Sequence, residues 1–197
     1  MDSFTIFPDK ILTDAGAVSR AFLGIGVRTF VEACRYVHRM PYGYNSNRDD
    51  LMALFKENKG TCTTKHSVIG TLAEESGLSV KKTIGIYAMT EVIVTGTDRI
   101  LKKYGLPYVP MIHCFLAFDR YRVDLTEGNH NGKNRSLEVF LHTEQVIPDI
   151  SGKDEYLIYR RAVTDSILAR KELSGVAIKT VLHAREEGLA LLKANIG

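Results

Sequence analysis

Apolar positions recur at helical spacing over residues 27–39, where Val27, Phe30, Val31, Cys34 and Val37 line one face. Met40-Pro41-Tyr42-Gly43-Tyr44-Asn45 ends that run with proline, glycine and asparagine. Asp49 or Asp50 is suited to cap a short helix reaching Lys56, and Asn58-Lys59-Gly60 breaks it. A further helix is predicted from about Cys62 to Ser76, closed by Gly77.

Beyond Gly77 the texture changes. Lys82 to Thr95 is rich in β-branched and aromatic residues, as strands prefer. Thr97–Tyr104 reads as a short helix, with Gly105 and Pro107 behind it. Met111–Phe118 and Tyr121–Thr126 read as two strands joined by a tight turn at Asp119-Arg120. A polar loop, Glu127–Ser136, follows. Asp154–Leu173 and about Val176–Ala194 read as helices, separated by Ser174-Gly175. Helices, then a meander of strands, then helices predict an α+β domain rather than an alternating parallel sheet. We expect a single domain over residues 1–197, with N-terminal helices, an antiparallel sheet and a C-terminal helical pair.

Composition narrows the class. The 197 residues are 45% hydrophobic and 25% charged, ordinary for a globular chain with a real core. The net charge is only +3, and the basic residues are scattered in pairs such as Lys81-Lys82 and Arg160-Arg161. A nucleic-acid binder gathers Lys and Arg on one face, so that class is set aside. Three cysteines, Cys34, Cys62 and Cys114, argue against a secreted disulfide scaffold and fit a reducing compartment. The N-terminus lacks a basic start followed by an apolar run, and no stretch is apolar for long enough to cross a bilayer. The expectation is a soluble, cytoplasmic protein with neither a nucleic-acid nor a membrane partner.

The segment Lys59-Gly60-Thr61-Cys62-Thr63-Thr64 carries the most chemistry. A thiol at the N-terminal end of a helix faces unbonded backbone N–H groups and the positive end of the dipole, and both favour thiolate. The same N–H groups stabilise an oxyanion when that thiolate attacks a carbonyl. Glycine ahead of the cysteine allows a sharp turn and room for substrate. Free cysteines more often sit in cores as small hydrophobes, which is the reading for Cys34 on its apolar helix face. Cys62 differs because its neighbours are Gly60, Thr61, Thr63 and Thr64 rather than apolar residues.

A nucleophilic cysteine needs a base, and the base needs an orienting group. His113 interrupts an otherwise apolar strand, and Asp124 lies in the next one. With Asp119-Arg120 as a two-residue loop, Phe118 faces Tyr121, Asp124 faces Phe115 and His113 faces Thr126. His113 and Asp124 then share a face, diagonal to each other, and a one-residue change of loop parity separates them.

Gly60-Thr61-Cys62 leading into a helix, His113 on a strand and Asp124 on the next resemble the transglutaminase-like branch of papain-like cysteine enzymes. The resemblance covers roughly residues 27–126 and leaves the C-terminal helices outside. It implies Cys62 as nucleophile, His113 as general base, Asp124 as its orienter and a thioester intermediate; separately, we expect no cofactor. Many members use a Trp or Gln side chain as an extra oxyanion donor. This chain has no Trp, and Tyr42 or Tyr44 is the candidate replacement.

Two rival readings stand beside this one. Cys62 and His66 share a helix face and His113 adjoins Cys114, but adjacent strand residues point to opposite faces and no zinc-type spacing is present, so no metal is expected. His66 is left with a supporting or surface role. The alternative to an enzyme is a non-catalytic peptide- or partner-binding domain of the same fold. The sequence reading is a cysteine hydrolase or acyltransferase acting on a peptide, protein or small amide. The C-terminal helices either cover the core or pair two copies of the chain.

Overall fold

The computed structural model describes residues 3–196. Helices α1 (Ala17–Gly24), α2 (Phe30–Arg39), α3 (Ala53–Glu57) and α4 (Cys62–Glu75) come first. They are followed by β1 (Lys81–Met89), α5 (Thr97–Tyr104), β2 (Val109–Phe118), β3 (Tyr121–Val123) and β4 (His142–Gln145), then α6 (Gly152–Ala162) and α7 (Ile178–Ala194). The strands form one antiparallel sheet in the order β3-β2-β1-β4, so the fold is α+β. The β2–β3 register pairs Phe118 with Tyr121, Ala117 with Arg122 and Leu116 with Val123, as a two-residue loop at Asp119-Arg120 requires. Asp119 adopts φ +51° there.

The chain divides into two compact units, each assembled from separated stretches. The first contains the residues through Ile84, Cys114–Asn129 and Gln145–Gly152; the second contains Gly85–His113, His130–Glu144 and the residues from Lys153 onward. Strands β1 and β2 contribute residues to both. The first unit packs α1 and α2 against α4 around Phe22, Phe30, Val37, Val68, Ile69 and Leu72, all withdrawn from solvent. Glu75, at the end of α4, locks α1 in place by accepting from the backbone N–H groups of Val18 and Ser19 at 3.1 and 2.6 Å. The second unit has its own core, where Tyr87, Met89, Val109 and Met111 meet Tyr159, Val163 and Ala184.

Several boundaries depart from the pattern-based expectation for identifiable reasons. Helix α2 starts at Phe30 rather than Val27 because Thr29 caps it: Thr29 Oγ1 accepts from Glu32 N, and Glu32 Oε2 accepts from Thr29 N. Strand β1 ends at Met89, not Thr95. The Glu91 carboxylate accepts from the N–H groups of Gly96 and Asp98 and winds Val92-Ile93-Val94 into a turn that leads into α5. The expected helix Asp154–Leu173 breaks after Ala162 into a π turn (Val163–Ile167) and a 3-10 turn (Lys171–Leu173). Strand β4, HTEQ, was not anticipated: its polar residues alternate between half-buried and exposed and give no apolar signal.

Candidate active site around Cys62

Cys62 is the first residue of α4, and its side chain is nearly covered, with 8% of its surface exposed. The first intrahelical bond runs from Lys65 N to Thr61 O at 3.0 Å, so the N–H groups of Cys62, Thr63 and Thr64 lie ahead of the helical ladder. Thr61 N–H donates instead to Thr64 Oγ1 at 2.9 Å, which fixes the entry angle of the chain. Gly60 is required, though not for the reason the sequence suggested. Its backbone is not in the left-handed region, and a Cβ would stand 2.8 Å from Thr64 Oγ1 and 3.1 Å from both Leu54 and Lys65 side-chain carbons. The space beside Gly60 is filled by the protein rather than held open for substrate.

The Pro41–Ser46 loop runs alongside this turn. Tyr42 forms a parallel bridge with Gly60, and Gly43 N and Gly60 N bond across it at 3.3 and 3.2 Å. At its other end Ser46 donates to the Glu57 carboxylate from both Oγ (2.6 Å) and N (3.1 Å), and Asn45 Nδ2 donates to Lys59 O at 3.0 Å. The Ser46 hydroxyl and then its N–H hold the Glu57 carboxyl below its usual range. Tyr44, 38% exposed, is thereby carried into the electrostatic field of Cys62. Burial, and secondarily the thiolate charge of Cys62, raise the Tyr44 phenol above its ordinary value. Tyr44 is thus a tyrosine candidate whose ionisation is coupled to the charge of Cys62.

Asp124 belongs to the same unit. It lies one residue past the end of β3 rather than within a strand reaching Thr126, as the sequence had suggested. The cause is local: Asp124 Oδ1 accepts both the N–H and the hydroxyl of Thr126, each at 2.7 Å, and the resulting turn competes with the ladder. The expected pairing of Phe115 with Asp124 and of His113 with Thr126 is therefore absent from the recorded register, which stops at Leu116–Val123. His113 is in β2 and is 1% exposed. Its neighbour Cys114 is fully buried, with Sγ 3.7 Å from Thr63 Oγ1. Cys34 is also fully buried, in the apolar core where the sequence put it.

Pattern reading missed the burial of three groups. His66, assigned only a supporting or surface role, is fully buried, and both of its ring nitrogens are engaged. Nδ1 lies 2.5 Å from Cys62 O, and Nε2 accepts the Leu125 N–H at 2.9 Å. That occupation rules out His66 as a metal ligand in this arrangement. Lys65 is also buried, its ammonium donating to Met40 O at 2.5 Å. Burial lowers it to about 8, against a smaller upward pull from Asp124. Lys82, the third, donates to Ser67 Oγ at 2.8 Å and Pro148 O at 3.1 Å inside the same unit. The Cys62–His66 spacing was a visible signal; for the two lysines there was none, since a lone Lys usually marks a surface.

No family model, no curated protein and no solved structure matches this chain. Among the described residues no helix is long and apolar enough to cross a membrane.

Proposed function

We propose that this chain is a cysteine hydrolase or acyltransferase acting on an amide or peptide carbonyl, with Cys62 as nucleophile, His113 as general base and Asp124 as the group that orients it. The observation that carries the proposal is the seat of Cys62: a thiol at the first position of a 14-residue helix, where the backbone N–H groups lie ahead of the helical ladder. Dipole and N–H groups at that position favour the thiolate. A transglutaminase-like arrangement fits the chain order Cys, His, Asp on an α+β fold.

In the proposed reaction His113 takes the thiol proton and the Cys62 sulfur forms a bond to the carbonyl carbon. The oxyanion is stabilised by N–H groups at the start of α4, with the Tyr44 hydroxyl as a further donor. Collapse breaks the C–N bond, and the leaving amine takes the proton back from the imidazolium. Water, or an amine acceptor, then attacks the thioester and regenerates the thiol.

The test is the pH dependence of iodoacetamide labelling at each cysteine, read by peptide mass mapping, in the wild type and in His113→Ala. Rapid labelling of Cys62 near pH 6, slowed by His113→Ala, is expected. Labelling no faster than a free thiol of pKa about 8.5 would sink the proposal and favour a peptide-binding domain without catalysis.

A further inference from the structure

His66 sits one helical turn after Cys62, and its ring spans the gap between the cysteine and the aspartate turn. Leu125 donates its N–H to Nε2 at 2.9 Å, so Nε2 carries no hydrogen and Nδ1 does. Nδ1–H then donates to Cys62 O at 2.5 Å. The ring is the neutral Nδ1–H tautomer. Asp124 Oδ1 lies 3.6 Å from Nε2, and two acceptors at that distance share no hydrogen bond. The carboxylate oxygen is occupied instead by Thr126. The carbonyl of Leu125 is held as well, accepting from His38 Nδ1 at 3.2 Å.

Leu125 is thus gripped at both its N–H and its carbonyl by histidines, directly after Asp124. One of those histidines is bonded to the backbone of the residue that bears the thiol. Helix propensity explains none of this: a polar ring placed wholly inside a core costs free energy unless both of its nitrogens are satisfied. We propose that His66 is a positioning residue, a rigid strut that fixes Asp124 relative to Cys62 through the Leu125 N–H. This inference rests on the catalytic reading of Cys62 and Asp124. His66 itself exchanges no proton with substrate, because both nitrogens are committed.

The experiment uses the full chain and follows the pH profile of Cys62 alkylation by iodoacetamide in His66→Leu, His66→Gln, His66→Asn, Asp124→Asn and the double variant His66→Leu/Asp124→Asn. The strut predicts that His66→Leu moves the profile by about one pH unit toward an ordinary thiol, roughly a tenfold loss of rate on its acid limb. Glutamine can extend an amide oxygen to the Leu125 N–H and should restore most of the rate, whereas the shorter asparagine should not. The double variant should be no slower than the slower single variant, since both changes act on one arrangement.

A His66→Leu profile identical to wild type, or losses that multiply in the double variant, overturns the strut and leaves the catalytic reading standing. Wild-type Cys62 that labels as an ordinary thiol overturns both. Where His66→Leu fails to fold by circular dichroism, the Gln and Asn variants decide: equal rates in the two overturn the proposal.

Discussion

The ammonium of Lys65 reaches from α4 to the end of α2 and donates to the carbonyl of Met40 at 2.5 Å. The last carbonyls of a helix lack intrahelical partners and sit at the negative end of its dipole. Asn129 Nδ2 serves the same end, donating to His38 O at 3.1 Å, so a residue of the polar loop after Asp124 is fastened to α2. Two side chains from distant parts of the sequence therefore satisfy the last carbonyls of α2 and, in doing so, gather α4 and the aspartate turn around it.

A folded-state value of about 8 against 10.5 for free lysine makes Lys65 a pH-dependent contributor to stability. Between those limits the unfolded chain binds one proton more than the folded one, so stability rises with pH through that window. Relative to Lys65→Met, wild type should gain as pH rises from 8 to 10.5. The gain is at most about 3 kcal/mol, less any solvent screening. Urea unfolding of both proteins across that range measures it; a difference that stays flat or shrinks contradicts the assignment.

Gly60→Ala should destabilise the first unit, because the added methyl meets Thr64, Leu54 and Lys65 where no space is left. Overpacking of this kind costs about 1–3 kcal/mol. Urea midpoints read the loss directly. A neutral substitution would show that the turn before Cys62 yields easily.

The Tyr44 phenol and Cys62 should report on each other. Removing the thiolate with Cys62→Ala should lower the Tyr44 pKa while leaving it above the ordinary value, since burial is the larger cause. Absorbance titration at alkaline pH, with Tyr44→Phe subtracted to isolate this ring, gives the answer. No movement of that titration on loss of the thiol would remove Tyr44 from the site.

Glu57 holds the loop that carries Tyr44. Its folded-state pKa is depressed by the Ser46 hydroxyl and N–H, so its contribution is present above the unfolded value and is lost as pH falls through the folded one. Hydrogen exchange at the Ser46 amide should therefore be protected at neutral pH, weaken in acid beyond the intrinsic trend, and be unprotected in Glu57→Ala throughout. Protection that survives Glu57→Ala would place the anchor elsewhere.

The sequence reading reached furthest where the signal is local. Val31, Cys34 and Val37 repeat at helical spacing and lie buried in α2. Asn58-Lys59-Gly60 carries a left-handed residue, Asn58 at φ +49°, and the helix ends there as expected. The start of α4 at Cys62 and the Asp119-Arg120 loop were legible for the same reason: a cap or a two-residue turn depends on a few neighbouring residues. Glu91 and Thr126 resisted, because a single side-chain hydrogen bond diverted β-prone residues from a ladder into a turn.

What the sequence determined by itself is the α+β class, the placing of most helices and the candidacy of Cys62 at a helix start, since periodicity, caps and glycine positions act within a few residues. Tertiary structure alone decided that Lys65, His66 and Lys82 are buried and which carbonyls, hydroxyls and N–H groups satisfy them. Burying such groups is tolerated only when partners from elsewhere in the chain meet them, Met40 and Leu125 among them. Those partners lie many residues away, and no local pattern encodes that meeting.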